Sequence, residues 1–291
     1  MDPHLLRTYV TVARLASFSE AARELGYTQS AVSQHIAALE ADLALPLLTR
    51  RPVAPTPAGE RLLEHAGALL LRLDAARADL DRFAAAPRAT LSVAASPLAL
   101  HARTLAALPA TGVTLRALPR EAVPAAVATG EADAGLVDGI AAPSDPLRLP
   151  DVAPLAATGV AEAPLAVVLP ASHPLAGRSG LRLDDLVDAR WLDAPAAGLP
   201  LDGLRGAHGG PAGRGFRTAL RYEGTDTRTL AALAAAGHGL TLLPAPAAAD
   251  VSGAVPLTAP RLVHRTELLL PAGAPTEPGG PAAEFTRRLK S

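Results

Sequence analysis

The chain has no cysteine. No disulfide, thiolate metal site or cysteine nucleophile can therefore form. Lysine is nearly absent: Lys290 is the only one, so any basic function rests on arginine. Long apolar runs are missing too. Hydrophobic residues make up 49% of the 291, yet Pro, Gly, Arg and Asp break every stretch before it reaches the roughly twenty residues of a membrane span. The start, Met1-Asp2-Pro3-His4, lacks the basic opening and apolar centre of a secretory signal. These absences lead to the expectation of a soluble cytoplasmic protein with no membrane partner. Signatures of chemistry are also lacking. There is no Gly-x-Ser-x-Gly elbow, and Gly237-His238-Gly239 is not followed by the Gly-Lys-Ser/Thr of a phosphate loop. The eight histidines show no paired metal spacing, and His65, His101, His208 and His264 read as surface residues. Asp184 and Asp185 fall on an ordinary amphipathic helix. No catalytic residue, metal or cofactor is expected.

Positive charge is scarce where it would be useful. Residues 1–60 hold five arginines (7, 14, 23, 50, 51) against six acidic residues (2, 20, 24, 40, 42, 60). A nucleic-acid-binding head is usually more basic, so the arginines must be well placed rather than numerous.

What is present starts at Ser17 and runs to Arg51. Ser19 can cap a helix whose buried side is Ala21, Ala22 and Leu25, and Gly26 ends it where a left-handed conformation is needed. Thr28 starts a second helix with Val32, Ile36, Leu39 and Leu43 at helical spacing. The pair makes a helix-turn-helix candidate. Its outer face, Gln29, Ser30, Ser33, Gln34 and His35, carries no charge where solvated helices prefer Lys, Glu and Arg. Amides and hydroxyls both donate and accept, which suits base edges in a major groove. A small helical bundle with a polar face is the plainer alternative.

Beyond spacing, Ala21-Ala22-Arg23-Glu24-Leu25, Thr28-Gln29-Ser30-Ala31-Val32-Ser33-Gln34 and Leu39-Glu40 resemble the N-terminal signature of LysR-type transcriptional regulators. Leu45-Pro46-Leu47-Leu48-Thr49-Arg50 and Thr56-Pro57-Ala58-Gly59 continue the resemblance, and order and spacing agree over about sixty residues. It implies a winged helix-turn-helix over 1–58 that binds double-stranded DNA at an interrupted palindromic promoter site. Thr28, Gln29, Ser30, Ser33, Gln34, Arg50 and Arg51 would make the contacts, the two arginines from a wing bracketed by Pro46 and Pro52. RNA polymerase is a further candidate partner.

Leu5, Leu6, Tyr9, Val10, Val12, Ala13 and Leu15 form a first helix packed under this motif. Thr56-Pro57 opens a long helix by the cap-then-proline rule. It serves as a linker over 59–87 and is closed by Pro87. Its apolar positions Leu62, Ala66, Leu69, Leu73, Ala76, Leu80 and Phe83 step alternately by four and three. Such a heptad seam means two helices side by side, hence a homodimer or, as the resemblance suggests, a homotetramer. The alternative is one amphipathic helix packed on its own body.

From residue 88 strands and helices alternate, which means a parallel sheet with crossover helices. Strands are expected at 90–95, 113–118, 132–137, 165–169, 191–192, 216–222, 240–244 and 267–270. Helices are expected from Ser96-Pro97 to about Leu108 and at 121–129, 181–187, 225–236 and 282–290; 194–215 reads as an irregular loop. The order resembles the family's effector-binding body, a two-lobed fold like that of periplasmic solute-binding proteins. Lobe one would then be 88–160 plus 267–291 and lobe two 161–266. The cleft between them would hold a small-molecule effector, argued to be anionic because helix N-termini at Ser96-Pro97 and Thr225-Asp226-Thr227 would face it. His238, in the Gly-His-Gly landmark, is counted with them. For Ser96 and Thr225–Thr227 a plain capping role is the competing reading. For the whole chain the competing reading is a cytoplasmic ligand-binding protein whose head contacts only other proteins.

Overall fold

The computed structural model describes residues 1–84, 89–197, 199–208, 215–273 and 279–290. Pro87 and the side chains of Phe83 and His208 lie outside what is described. The chain divides into two compact units, Met1–Arg77 and Ala78–Ser291.

The first unit is built from helices α1 (Pro3–Leu15), α2 (Phe18–Leu25) and α3 (Gln29–Leu43), then strands β1 (Leu48–Arg50) and β2 (Val53–Pro55). Helix α4 (Pro57–Ala84) follows and runs past the division at residue 77. Each start has a local cause. Asp2 caps α1 by accepting from the His4 N–H at 2.7 Å. Thr28 caps α3 by accepting from Ala31 N–H at 3.1 Å. Thr56 Oγ1 accepts from Gly59 N–H at 3.1 Å and donates to the Pro46 carbonyl at 2.7 Å, tying the start of α4 to the entry of the wing. The cap of α2 is Ser17, not the expected Ser19. Ser17 has the extended backbone a cap requires, and its Oγ accepts from Glu20 N–H at 3.2 Å, whereas Ser19 already lies in the first turn. Gly26 sits at φ 69°, as the tight turn demands.

Tyr9, Val12, Ala21, Ala22, Val32, Ile36, Leu39 and Leu47 fill the head core, so the periodicity of α1 and α3 translates directly into burial. Gly59 shows why the Thr-Pro-Ala-Gly turn needs glycine. A Cβ there would collide with the Leu47 carbonyl and lie 2.5 Å from the Tyr9 hydroxyl. Burial, with Glu60 and Glu40 adding, pushes the Tyr9 phenol up to about 12.

The second unit opens with β3 (Leu91–Ala95), α5 (Ala102–Ala107), β4 (Val113–Ala117), α6 (Ala122–Ala128) and β5 (Ala134–Ala141). The long strand β6 (Leu155–Val168) leads to β7 (Leu181–Arg182), β8 (Arg190–Asp193), α7 (Leu201–His208), β9 (Arg217–Arg221) and α8 (Thr227–Ala235). Then come β10 (Thr241–Pro244), α9 (Ala245–Ala248), β11 (Ala254–Ala259), β12 (Val263–Pro271) and α10 (Pro281–Lys290). The main sheet has the order β4-β3-β5-β12-β6-β11-β7, with β10 also on β6. Strands β4, β3 and β5 are parallel, and β12 is antiparallel to both β5 and β6.

Two lobes share the long strands. β12 pairs with β6 from Pro271↔Leu155 to Val263↔Pro164, with a register shift between Thr266 and Glu267. Beyond Pro164 the same β6 pairs with β10 and β11 instead. One lobe packs Leu91, Val93, Leu136 and Leu268 against Phe285 and Leu289 of α10. The other is centred on Trp191 and Phe216, whose ring centroids lie 5.7 Å apart.

Several expected elements differ. The helix from Ser96 to Leu108 is two pieces, a 3-10 turn Pro97–Ala99 and α5. The backbone leaves the helix at Leu100, and Thr104 Oγ1 restarts it by accepting from His101 N–H at 3.0 Å. The expected 181–187 helix is β7 followed by a 3-10 turn Leu183–Leu186. Residues 201–208 form α7 inside the expected loop: Leu201 and Leu204 are buried, and Asp193 Oδ1 accepts from Leu201 N–H at 3.0 Å. β11, residues 155–164 of β6 and residues 263–266 of β12 fall outside the expected strands, because neighbouring strands rather than local apolar runs hold them extended.

Candidate nucleic-acid interface and effector cleft

On the head, α3 presents Gln29, Ser30 and Gln34 to solvent. The Thr28 hydroxyl is engaged as the cap and shares a 2.9 Å hydrogen bond with Ser30 Oγ. Ser33 is half-buried and accepts from Arg50 Nη1 at 3.3 Å. His35 does not belong to this face. Its Nδ1 lies 3.1 Å from Thr8 Oγ1, and its ring meets Tyr27 edge-on, so it ties α3 to α1.

The wing is held from behind by Glu40. Its Oε1 accepts from the Leu47 and Leu48 amides at 2.8 and 3.2 Å, and its Oε2 lies 4.0 Å from Arg50 Nη2. Thr49 Oγ1 lies 2.6 Å from the Pro52 carbonyl and 3.1 Å from that of Ala54. Arg7 pairs with Asp74 and Arg14 with Glu24. Among the five arginines of residues 1–60, Arg23 and Arg51 have no acidic partner among the described residues, and Arg51 stands exposed in the turn between β1 and β2.

Along α4 the seam residues separate. Ala66 is fully buried in the head core, and Leu62 packs against the same core. Leu73 is half-buried. Ala76 is exposed, and Leu69 and Leu80 are 46% and 69% exposed. The first turns thus serve the head, and the later ones leave an apolar edge in water.

Between the lobes lies a cavity of about 410 Å³, bordered by Pro119 and Glu121 on one side and Asp193, Asp202, Arg221 and Glu223 on the other. Arg221 is already paired, at 2.9 Å to Asp193 and 3.6 Å to Glu223, and Asp202 lies 2.7 Å from Arg205. Four carboxylates face one neutralised arginine, so among the described lining residues an anion finds no unpaired cation.

The residues expected to bind an effector stand elsewhere. Ser96 is fully buried and makes no cap hydrogen bond. It donates to the Asp138 carboxylate, and its Oγ accepts from Asp138 N–H at 3.0 Å. Pro97 opens only the three-residue 3-10 turn. Thr225 precedes α8, and Thr227 is its first residue. The cap is Asp226, whose carboxylate accepts from Arg228 N–H and Thr229 N–H at 3.1 Å each and from Thr229 Oγ1 at 2.6 Å. The Thr229 hydroxyl, then the two amides, hold the Asp226 carboxyl below its ordinary value. The α8 N-terminus therefore already has its anion. His238 is exposed in the turn before β10. None of these six borders the cavity.

The head and the body each match a family model. Residues 3–60 match the bacterial regulatory helix-turn-helix protein, lysR family, and residues 84–290 match the LysR substrate binding domain. The chain belongs to the LysR family. Its fold is the helix-turn-helix head and long helix followed by the two-lobed substrate-binding body of that family. The LysR-family chain is 30% identical to the HTH-type transcriptional regulator BudR of Raoultella terrigena over 262 residues, covering 84% of each. A putative transcriptional regulator of Pseudomonas aeruginosa is 51% identical over 82 residues, 28% of this chain; the HTH-type transcriptional regulator PgrR of Escherichia coli is 39% identical over 116 residues, 39% of this chain. The chain spans only 26% and 38% of the length of those two relatives. In fold it resembles full-length CbnR complexed with its target DNA, at TM-score 0.51 and 24% identity over 100% of this chain and 99% of that one. It also resembles a full-length OxyR variant from Pseudomonas aeruginosa, at TM-score 0.52 and 22% identity over 100% of this chain and 95% of that one.

Sequence reading missed Asp138 and misplaced His264, expected at the surface but only 2% exposed. His264 Nε2 lies 2.9 Å from Asp138 Oδ2. The available signal was a carboxylate interrupting the apolar strand β5. His101 is half-buried, with its Nε2 unpartnered among the described residues. Burial, then repulsion from His264 and Arg103, holds its pKa below the usual imidazole value, against Asp138. No helix among the described residues is long and apolar enough to cross a membrane.

Proposed function

We propose that this LysR-family chain is a sequence-specific, DNA-binding transcription regulator of the cytoplasm, controlled by a small molecule bound between the lobes of its body. The observation that carries the reading is the uncharged row of Gln29, Ser30, Ser33 and Gln34 on a capped second helix, beside a wing that ends in Arg50 and Arg51. Bidentate amides and hydroxyls discriminate base edges, while the exposed Arg51 supplies phosphate charge without base information. The CbnR structure holds target DNA, which supports the same use of the head here. The uncovered edge of α4 at Leu69, Ala76 and Leu80 supports a homodimer or tetramer. Two heads in one particle would read the two halves of an interrupted palindrome, and contact with RNA polymerase would follow from promoter binding.

Binding-site selection from a randomised duplex pool tests the reading. A two-armed motif should emerge, and a mobility shift on the promoter beside the protein's own gene should contain it. Recovery of no motif would favour a head that contacts only proteins.

For the effector, Asp193, Asp202, Glu121 and Glu223 favour a positively charged or uncharged headgroup over the anion argued from helix N-termini. Closure of the lobes on it would shift the arrangement of the heads. Thermal-shift screening of amines, amino acids and organic acids should find its stabilisers among the first two classes. Stabilisation by organic acids alone would reverse the assignment.

A further inference from the structure

Arg50 occupies a position that a simple phosphate contact does not require. Its guanidinium carbon lies 5.2 Å from the centroid of the Phe18 ring, at the start of α2. Nη1 donates to Ser33 Oγ at 3.3 Å, and Nη2 faces Glu40 Oε2 at 4.0 Å. Glu40 is itself fixed by the Leu47 and Leu48 amides. Three elements, α2, α3 and β1, therefore meet on one planar cation. Arg51 is the adjacent residue with no such ties among the described residues. The two arginines share a charge but not an environment.

The consequence falls on Ser33. A free serine hydroxyl donates or accepts, and so reads either kind of base edge. An N–H from a cation on one lone pair polarises the hydroxyl and biases it toward donation. Its hydrogen is then best satisfied by a base acceptor, such as purine N7, guanine O6 or thymine O4. A lysine could not reproduce this, because it lacks the flat fork that stacks on a ring while donating in plane.

We propose that Arg50 is a positioning residue for DNA specificity: stacked on Phe18 and braced by Glu40, it donates to Ser33 Oγ and makes that hydroxyl a donor to a base acceptor in the major groove, leaving phosphate anchoring at the wing to Arg51. The proposal rests on the DNA-reading function proposed above.

The test uses the full chain and a randomised duplex pool, with a fixed non-specific duplex for salt titration. Wild type should select an acceptor-bearing base at one step of each half-site. Ser33→Ala and Arg50→Lys should each reduce preference at that same step about tenfold, and the double variant should lose no more than either single one. Arg50→Lys should keep the wild-type salt slope, whereas Arg51→Ala should lower it by about one without changing base preference. Arg50→Lys retains charge and size, so its folding is checked by an unchanged melting temperature; Arg50→Ala provides a second variant with the same expected loss at the Ser33 step. If Arg50→Ala lowers the salt slope as Arg51→Ala does and leaves the Ser33 step intact, Arg50 is an ordinary phosphate contact and the proposal is overturned. A wild type that selects no sequence at all would overturn the DNA-reading function itself, a result separate from a selected motif indifferent to Arg50.

Discussion

The imidazole of His264 lies 2.9 Å from the Asp138 carboxylate, and both side chains are buried where β5 and β12 run side by side. Ser96 donates to the other carboxylate oxygen from the end of β3. One acid thus holds two partners between three strands of the sheet that joins the lobes.

Removing that acid strips His264 Nε2 of its partner and leaves Ser96 Oγ with backbone contacts alone, to the residue 138 N–H and the Leu136 carbonyl. Asp138→Ala should cost about 3–5 kcal/mol, the usual result of breaking a buried pair from one side. Asp138→Asn, whose amide oxygen can still accept from Ser96 while its NH2 meets His264 Nε2 as a donor, should cost less. Urea denaturation of the two variants checks the order; equal losses would mean that cavity formation, not hydrogen bonding, sets the cost.

Leu80 is better placed than Leu73 for testing self-association. Being 69% exposed in the isolated chain, it can become aspartate without disturbing its own unit. Leu80→Asp should leave the melting profile of the chain intact, give a monomer by light scattering where the wild type gives an oligomer, and weaken DNA binding. An undisturbed oligomer would move the contact away from this edge of α4.

Asp226 links stability to pH. Its folded pKa is lowered by the Thr229 hydroxyl and two α8 amides, so its contribution is fully present above the ordinary carboxylate value of 3.8 and is lost as pH falls through the folded value. Asp226→Ala should melt below wild type at pH 7, and the gap should close on acidification past that value. A gap that widened in acid would contradict the capping role.

Gln34 is exposed on α3 and, unlike Ser33, has no described protein partner. Gln34→Ala should relax preference at its base step by about 1–3 kcal/mol without changing the salt slope. Unchanged selection from the duplex pool would remove Gln34 from the reading face.

His101 gives a second link between stability and pH. His101 is held neutral to lower pH than usual by burial and by His264. The unfolded chain therefore binds a proton that the folded one refuses, and stability should fall as pH drops through the ordinary imidazole value of 6.5. His101→Gln should flatten that part of the stability curve in denaturant titrations.

Short-range physics made the head legible from residue order alone. Caps, a left-handed glycine and a 3.6-residue apolar period act within a few positions, so Thr28, Gly26, Val32, Ile36 and Leu39 stand where the pattern placed them. Recognition of the whole LysR signature added the wing and the body. Even locally, competition between near-equivalent residues was open, and Ser17 rather than Ser19 took the cap because only its backbone is extended. Contacts between residues far apart in the chain were not legible. Ser96, Asp138 and His264 are separated by 42 and 126 positions, and only the β3-β5-β12 neighbourhood brings them together. Likewise Arg50 and Ser33, 17 positions apart, meet because Glu40 fixes the wing against α3. Residue order determined which side chains could donate, accept or carry charge; packing decided which of those groups were already engaged and which remained free for a ligand.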